Sequence, residues 1–555
     1  MKRRKIGIIS GFALLLVLIV IGVSWYGYHH FGTLSTKQIS ANINSELIHT
    51  RQKQQAPLTK TYRQKLNSGH YTPDNMYVKL NPYKTSPLSA LVAFKTKQAS
   101  QVSIAVQGKS DRTTIKTTYS GYKTKHKLSI LGLYPDYNNT VTLTIKAKNG
   151  QVTHKTLHIK TAKLPRALAK VKINVKTANK KKMAIGNDKL TFFVRTTKQP
   201  FGVDADGNIR WYSTNYSQHV FKELKNGHLL YLAKKNNQAE IYNELLETDF
   251  TGRIYKEYHF SNKTKSSNDT SGKGETTIVH HDTIELPNRD LLLTVSDGGG
   301  KYIEDTMVQI SHKTGKVNKV IDLKKILPVK MWRQYDSTKR SDGKIDWFHQ
   351  NSIYYDKSDD SLVISGRHQD LVMKLDYQTN QIKWLFSGKK KADWPRKYRS
   401  KILKTKGDTT YPGGQHAAIL LPTASANHKN LILFNNNIAI TNGPETTSKQ
   451  YSEGVQYQLN EKDKTIKQTW AYGKTLGKQN FSPIIGSARY LNTNNRLLCF
   501  GFLKSGNKSR IIEVDKTTNQ PVFDVELTNL PNKGYVYRSE RFSLYPQNHN
   551  NQTYE

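Results

Sequence analysis

The chain has 555 residues, with 86 Lys and Arg against 42 Asp and Glu, a formal net charge of +44 and a single cysteine. At roughly 150 residues per domain the length predicts three or four domains, and 36% hydrophobic with 10% aromatic residues excludes both a disordered chain and a polytopic membrane protein. One cysteine, Cys499, excludes an internal disulfide framework and any C-x-x-C zinc or redox site.

The first element is apolar. Residues 1–5 read MKRRK, and Ile6 to Tyr28 follows without a charge. About 20 apolar residues span a bilayer, and Trp25 and Tyr26 stand where interfacial aromatics belong. An N-terminal transmembrane helix over 1–30 is therefore expected, uncleaved rather than a signal peptide, because no small-residue cleavage site follows. It would place the rest outside the cell membrane. Residues 31–74 are polar and rich in Gln, Lys and Ser, and read as a stalk. The excess Lys is spread along the chain without a nucleic-acid-binding module, which argues against nucleic acid as a partner. It fits a solvated surface, or one that attracts anionic substrates.

From 75 to 165 the pattern alternates with period two, as in SQVSIAVQG and TVTLTIKAK, and Asn149-Gly150 is a hairpin turn. A small immunoglobulin-like β-sandwich is expected. Beyond Pro165 an internal repeat appears: an apolar strand, a turn opening with Asp, and a strand often ending in Trp. Its six copies include VDADGNIRW (203–211), LDYQTNQIKW (375–384) and VDKTTNQPVF (514–523), and their turn residues Gly207, Gly252, Gly315, Asn380, Lys464 and Asn519 lie 45 to 84 residues apart. A strand pair precedes five of the copies. Four strands repeated six times predict an all-β chain with a six-bladed β-propeller over 166–555, closed by YRSERFSLYP near the C-terminus. A stacked solenoid would need shorter, more uniform repeats.

In a propeller the first strand of each blade lines the central channel, so equivalent residues converge. Aligning on Leu224, Leu286 and Leu421 puts His219, His281 and His416 in one register. Aligning Ile284 with Ile353 puts His280 beside His349, with Asp282 and Thr283 opposite Asn351 and Ser352. Arg367 ends the next strand of the His349 unit, in SGRHQD. Imidazoles with a guanidinium suit either a metal or an oxyanion. First-shell carboxylates are scarce, H-E-x-x-H is absent and an Arg repels a cation, so the oxyanion of a phosphate or sulfate ester fits better, with no metal and no cofactor. A neutral imidazole can also be the nucleophile.

DWFHQNSIYYDKSDDSLVISGRHQDLVMKLDYQTNQIKW (346–384), with HHDTIELPNRDLLL upstream, GGQHAAILLP downstream and YRSERFSLYP near the end, resembles the bacterial aryl-sulfate sulfotransferases over residues 75–555. The resemblance implies a six-bladed propeller behind a β-sandwich. It also implies sulfuryl transfer from a phenolic sulfate donor to a phenolic acceptor, by a ping-pong route and without the nucleotide sulfate donor. It makes His416 the histidine that is transiently sulfated, and His349, Asn351 and Arg367 the residues that bind the sulfuryl oxygens. The remaining histidine falls on His280 or His281, register with His349 favouring the first and register with His416 the second. Periplasmic members commonly carry a structural cysteine pair, which one cysteine and an anchor do not match. That departure bears on the family's homodimer packing rather than the chemistry, and points to a Gram-positive envelope. The competing readings are a non-catalytic surface propeller that binds an anionic polymer or a partner protein, and a hydrolase or metal-dependent lactonase-like propeller.

Overall fold

The computed structural model describes residues 34–239, 241–262, 277–296, 301–335, 343–423, 425, 427–530 and 534–546. The apolar stretch Ile6–Tyr28 lies outside them. Among the described residues no helix is long and apolar enough to cross a membrane.

The repeated turn explains the repeated sheet. Asp204 accepts from the backbone N–H of Asp206 and Asn208, both at 3.0 Å, and Asp376 and Asp515 do the same for the residues two positions on. The turn then closes on a left-handed residue, with φ of 79° at Gly207, 85° at Gly252, 74° at Gly315, 58° at Asn380, 52° at Lys464 and 54° at Asn519. Gly and Asn adopt this conformation at little cost, which is why they occupy five of these six positions. The pairing register slips by one residue beside five of these six turns, as between Lys374 and Leu375 and between Glu513 and Val514.

Among the described residues six sheets result, each with four antiparallel strands, and three of them carry a fifth strand at the outer edge. Their innermost strands are Ser217–Glu223, Val279–Glu285, Gln350–Asp356, His416–Leu420, Ser487–Tyr490 and Val536–Ser543. Each lies beside its neighbour in this order, and the last returns to the first. The C-terminal strand pairs antiparallel with Lys189–Arg195, Ser539 opposite Phe193, so both ends of the ring share one sheet. Tryptophans at the strand ends, Trp211 and Trp384 among them, are buried between sheets.

In the sandwich the 18-residue strand Ser89–Val106 pairs with Lys123–Leu131 along its first half and with Asn138–Ala147 along its second, coiling the sheet around Val92, Phe94, Ile104, Ile130 and Leu143. It is fixed to the ring by polar contacts: Arg210 donates to Gly132 O at 2.6 Å and Thr113 O at 2.8 Å, and Ser86 Oγ to Phe250 O at 2.7 Å.

The segment read as a polar stalk is folded against the ring. Ile43–Ile48 adds a fifth strand to one sheet, paired with Ile254–Asn262, and helices Thr36–Asn42 and Thr50–Asn67 flank it. Ile39, Ile43 and Tyr62 are buried, and Arg51 inserts its guanidinium between the buried carboxylates of Glu244 and Glu257. The helix carries almost no apolar face of its own, so its place comes from this tertiary ion pair and the borrowed sheet edge.

Candidate active site

Five of the six innermost strands have a left-handed residue within or just before their start, His219 (φ 53°), His281 (43°), His349 (51°), Ala417 (60°) and Ile485 (55°), and in the first four the ladder slips there as a bulge. A bulge breaks the two-residue alternation and re-aims side chains, at about 1 kcal/mol for each left-handed non-glycine residue. This backbone pattern equates His281 with His349 and His219. The pairing register instead equates His280 with His416, each being the last paired residue before the slip. Neither sequence alignment alone describes the site.

The bulges assemble a row of imidazoles. Ring centroids of His219 and His281 lie 4.9 Å apart, His281 and His349 4.6 Å, and His349 and His368 4.7 Å. Tyr537 caps the row, 4.5 Å from His219, and its hydroxyl is 3.0 Å from His281 Nδ1. Two carboxylates organise the row from one side. Glu304 Oε2 is 3.0 Å from His281 Nε2 and 2.6 Å from His349 Nδ1, and Asp346 Oδ2 also reaches His349 Nδ1 at 2.6 Å. Burial opposes a charge on His349, but Glu304 and Asp346 outweigh it and raise its pKa to about 10. His349 is therefore an imidazolium whose Nδ1–H is held by carboxylates and whose Nε2–H remains to donate. Burial presses the pKa of His281 down, with Glu304 opposing.

His416 is the opposite case. Its Nδ1 lies 3.1 Å from Gly414 O and 2.8 Å from Asn436 Oδ1. The amide of Asn436 cannot turn round, because its Nδ2 already donates to Ser482 O at 2.7 Å and Ile485 O at 2.8 Å. Facing two acceptors, Nδ1 must carry the proton, which leaves the lone pair on Nε2. Burial first, and then the Arg367 charge, hold His416 well below its ordinary pKa, so the ring is neutral.

Arg367 follows Gly366 on the neighbouring strand, and its backbone N–H bonds His349 O at 3.1 Å. Its Nη2 donates to Pro483 O at 3.2 Å, while its buried Nε–H finds no acceptor among the described residues. A buried guanidinium with an unanswered donor is set up for an incoming oxyanion. Asn351 is fully buried and spends its amide on the neighbouring strand, Nδ2 to Gln415 O at 2.7 Å and Ala417 N to Oδ1 at 3.4 Å. It holds the backbone on both sides of His416. His280 is 94% buried, and neither ring nitrogen makes a good hydrogen bond among the described residues; burial lowers its pKa to about 3.

Asp370 ties these parts together. Its carboxylate accepts from Gly414 N at 2.6 Å and from the consecutive N–H groups of Ile440, Thr441, Asn442 and Gly443 at 2.7–3.0 Å. The Arg367 segment, the approach to His416 and the loop after Asn436 thus share one anchor.

Among the described residues two groups gather three donor atoms within 4.8 Å: His280, His281 and Glu304, and Asp346, His349 and His368. Their carboxylates already hold His281 and His349, and the charges of His349, a member of the second group, and of Arg367 oppose a further cation.

Of the residues expected from sequence, the structure places His281 and His349 in the row, His280 beside His281, and Arg367, Asn351 and His416 around the adjoining strand ends; Glu304, Asp346, His368, Tyr537 and Asn436 were not named from sequence. Asp346 and His368 lie inside the quoted block, three residues before His349 and one after Arg367, where they were legible. Glu304 and Asn436 sit in loops without any pattern.

Residues 175–538 match the arylsulfotransferase family, and residues 77–162 match the arylsulfotransferase Ig-like domain. The chain belongs to the arylsulfotransferase family. Two relatives named arylsulfate sulfotransferase AssT, from Escherichia coli O6:H1 and Lelliottia amnigena, are each 24% identical to this arylsulfotransferase over 83% of its chain and 91% of theirs. A putative 6-phosphogluconolactonase from Bacteroides fragilis overlays 81% of the arylsulfotransferase and 99% of its own chain at 9% identity and a TM-score of 0.30, too loose a likeness to support an inference.

Proposed function

We propose that this arylsulfotransferase moves a sulfuryl group from a phenolic sulfate ester to a phenol through a covalent intermediate on His416 Nε2. The observation that carries the reading is the fixed tautomer of His416, a buried neutral imidazole with its lone pair on Nε2 next to an unsatisfied Arg367. In the first half-reaction Nε2 attacks sulfur and the bond from sulfur to the phenolic oxygen breaks. His349 delivers its Nε2 proton to the departing oxygen, and Arg367 holds the sulfuryl oxygens. The charge on the sulfated ring is met by the Nδ1–H bonds to Asn436 and Gly414. In the second half the acceptor phenol gives its proton to His349 and attacks sulfur, which frees His416 and gives ping-pong kinetics. His281, bracketed by Tyr537 and Glu304, takes the third histidine's place in preference to His280, and Asn351 acts by positioning His416.

The family match favours this reading over a non-catalytic surface protein. The closed order of the six inner strands supports a six-bladed propeller, and the Ile6–Tyr28 stretch supports an exported, membrane-anchored enzyme with its ring outside the cell. Intact-mass analysis after incubation with donor alone tests the mechanism. One sulfuryl adduct should map to His416 and vanish in His416→Ala; an adduct elsewhere would overturn it.

A further inference from the structure

A second anionic site lies where the helix Thr50–Asn67, the sandwich strand Lys123–Leu131 and the outer turn at Arg253 meet around a groove of about 350 Å³. Five cations line it: Arg63, Lys123, Lys125, Lys127 and Arg253. Among the described residues that line it there is no carboxylate. Asp249, which favours the charge on Lys127, spends its hydrogen bonds elsewhere. Its Oδ1 accepts from Thr251 N at 2.8 Å and Arg253 N at 3.2 Å, and its Oδ2 from Tyr255 Oη at 3.0 Å. Lys127 thus sits partly buried between two arginines, and burial followed by Arg253 pushes its pKa down. The floor is aromatic, formed by Tyr62, Tyr83 and Tyr119.

Cations that repel one another are brought together by three segments far apart in sequence, beside the edge-to-face rings of Tyr62 and Tyr83. An oxyanion relieves that repulsion, and a ring packs against such aromatic edges and faces. The volume stands at the lower end of the range for small-molecule sites, enough for one ring and its substituent. We propose that this groove binds a ring-bearing ester of phosphate or sulfate, separately from the imidazole row. Arg253 lies on the outermost hairpin of a sheet whose innermost strand carries His219, so the width of the sheet, about 15 Å, separates the two. The ester can be a free aryl ester or a unit of an anionic glycan, and the test distinguishes these.

Phenyl phosphate presents the ring and the oxyanion without a transferable sulfuryl group. Calorimetric titration of the full chain should show it binding at the groove with an affinity that falls as salt rises. Lys127→Met combined with Arg63→Met should weaken this binding at least about tenfold while sulfuryl transfer and the melting temperature stay unchanged, and Lys127→Arg should retain it. Tighter binding of a sulfated disaccharide would assign the groove to a glycan, and tighter binding of phenyl phosphate to a free ester. Unaltered binding in the double variant together with its loss in Arg367→Met, or no binding of either probe, would overturn the proposal.

Discussion

Glu304→Gln isolates what the carboxylates do for His349. The replacement keeps shape and can still hydrogen-bond His281, but removes one of two negative charges that lie 2.6 Å from His349 Nδ1. With charge centres about 4 Å apart and an effective dielectric near 20, the lost attraction is at most about 4 kcal/mol, or roughly three pKa units. Part of it returns, because Asp346 is itself held up by burial and by Glu304, and ionises more readily once Glu304 is neutral. A net fall of about one to two units follows, from about 10 toward about 8 to 9. The assay is the pH dependence of phenol release from phenyl sulfate with donor alone, so that no acceptor titrates. The leaving oxygen of phenol, with a pKa of about 10, needs a proton. The alkaline limb should move down by one to two units while the rate at pH 7 changes less than about fivefold. The more acidic p-nitrophenol should leave with little change. Stability carries the same sign: because the folded pKa of His349 is raised, its contribution is complete below about pH 6.5 and is lost as pH climbs toward 10, and the variant should lose it earlier. An unmoved alkaline limb, or an equal shift for both leaving groups, would refute the assignment of His349 as the acid.

Asn436→Ala should release the His416 tautomer and lower kcat about 10- to 100-fold with little change in KM, measured on p-nitrophenyl sulfate and phenol. Arg367→Lys should lose more than charge alone predicts, because a point charge cannot restore the planar fork; donor-alone burst rates check this. Arg51→Met leaves Glu244 and Glu257 buried without their cation, and should cost about 3 kcal/mol in urea unfolding while the active-site kinetics are spared. Gly366→Ala drives a Cβ to 2.5 Å from the Phe348 ring, next to His349, and should cost about 1–3 kcal/mol and reduce transfer.

Local rules reached the fold. An Asp followed by a left-handed Gly or Asn recurs because the hairpin needs that backbone, and period-two alternation marks strands wherever it occurs, so the repeated sheets, the sandwich and the C-terminal closing strand were all legible. His416, His349 and Arg367 were named through the repeat register and the family resemblance, since each stands at the end of a strand that the repeat marks. The sequence by itself thus determined the elements and the chemistry-bearing histidines. Tertiary structure decided their state. Glu304 and Asp346 make His349 a cation and Asn436 fixes the tautomer of His416; Asp346 is only three residues from His349, but Asn436 lies 20 residues from His416 and Glu304 lies 45 from His349, where spacing carries no signal. The same holds for residues 34–74, whose polar composition hides a strand and its docking because the partners, a sheet edge and two buried carboxylates, lie about 200 residues further on. Periodicity records a residue's own backbone, whereas charge and tautomer depend on neighbours that only folding supplies.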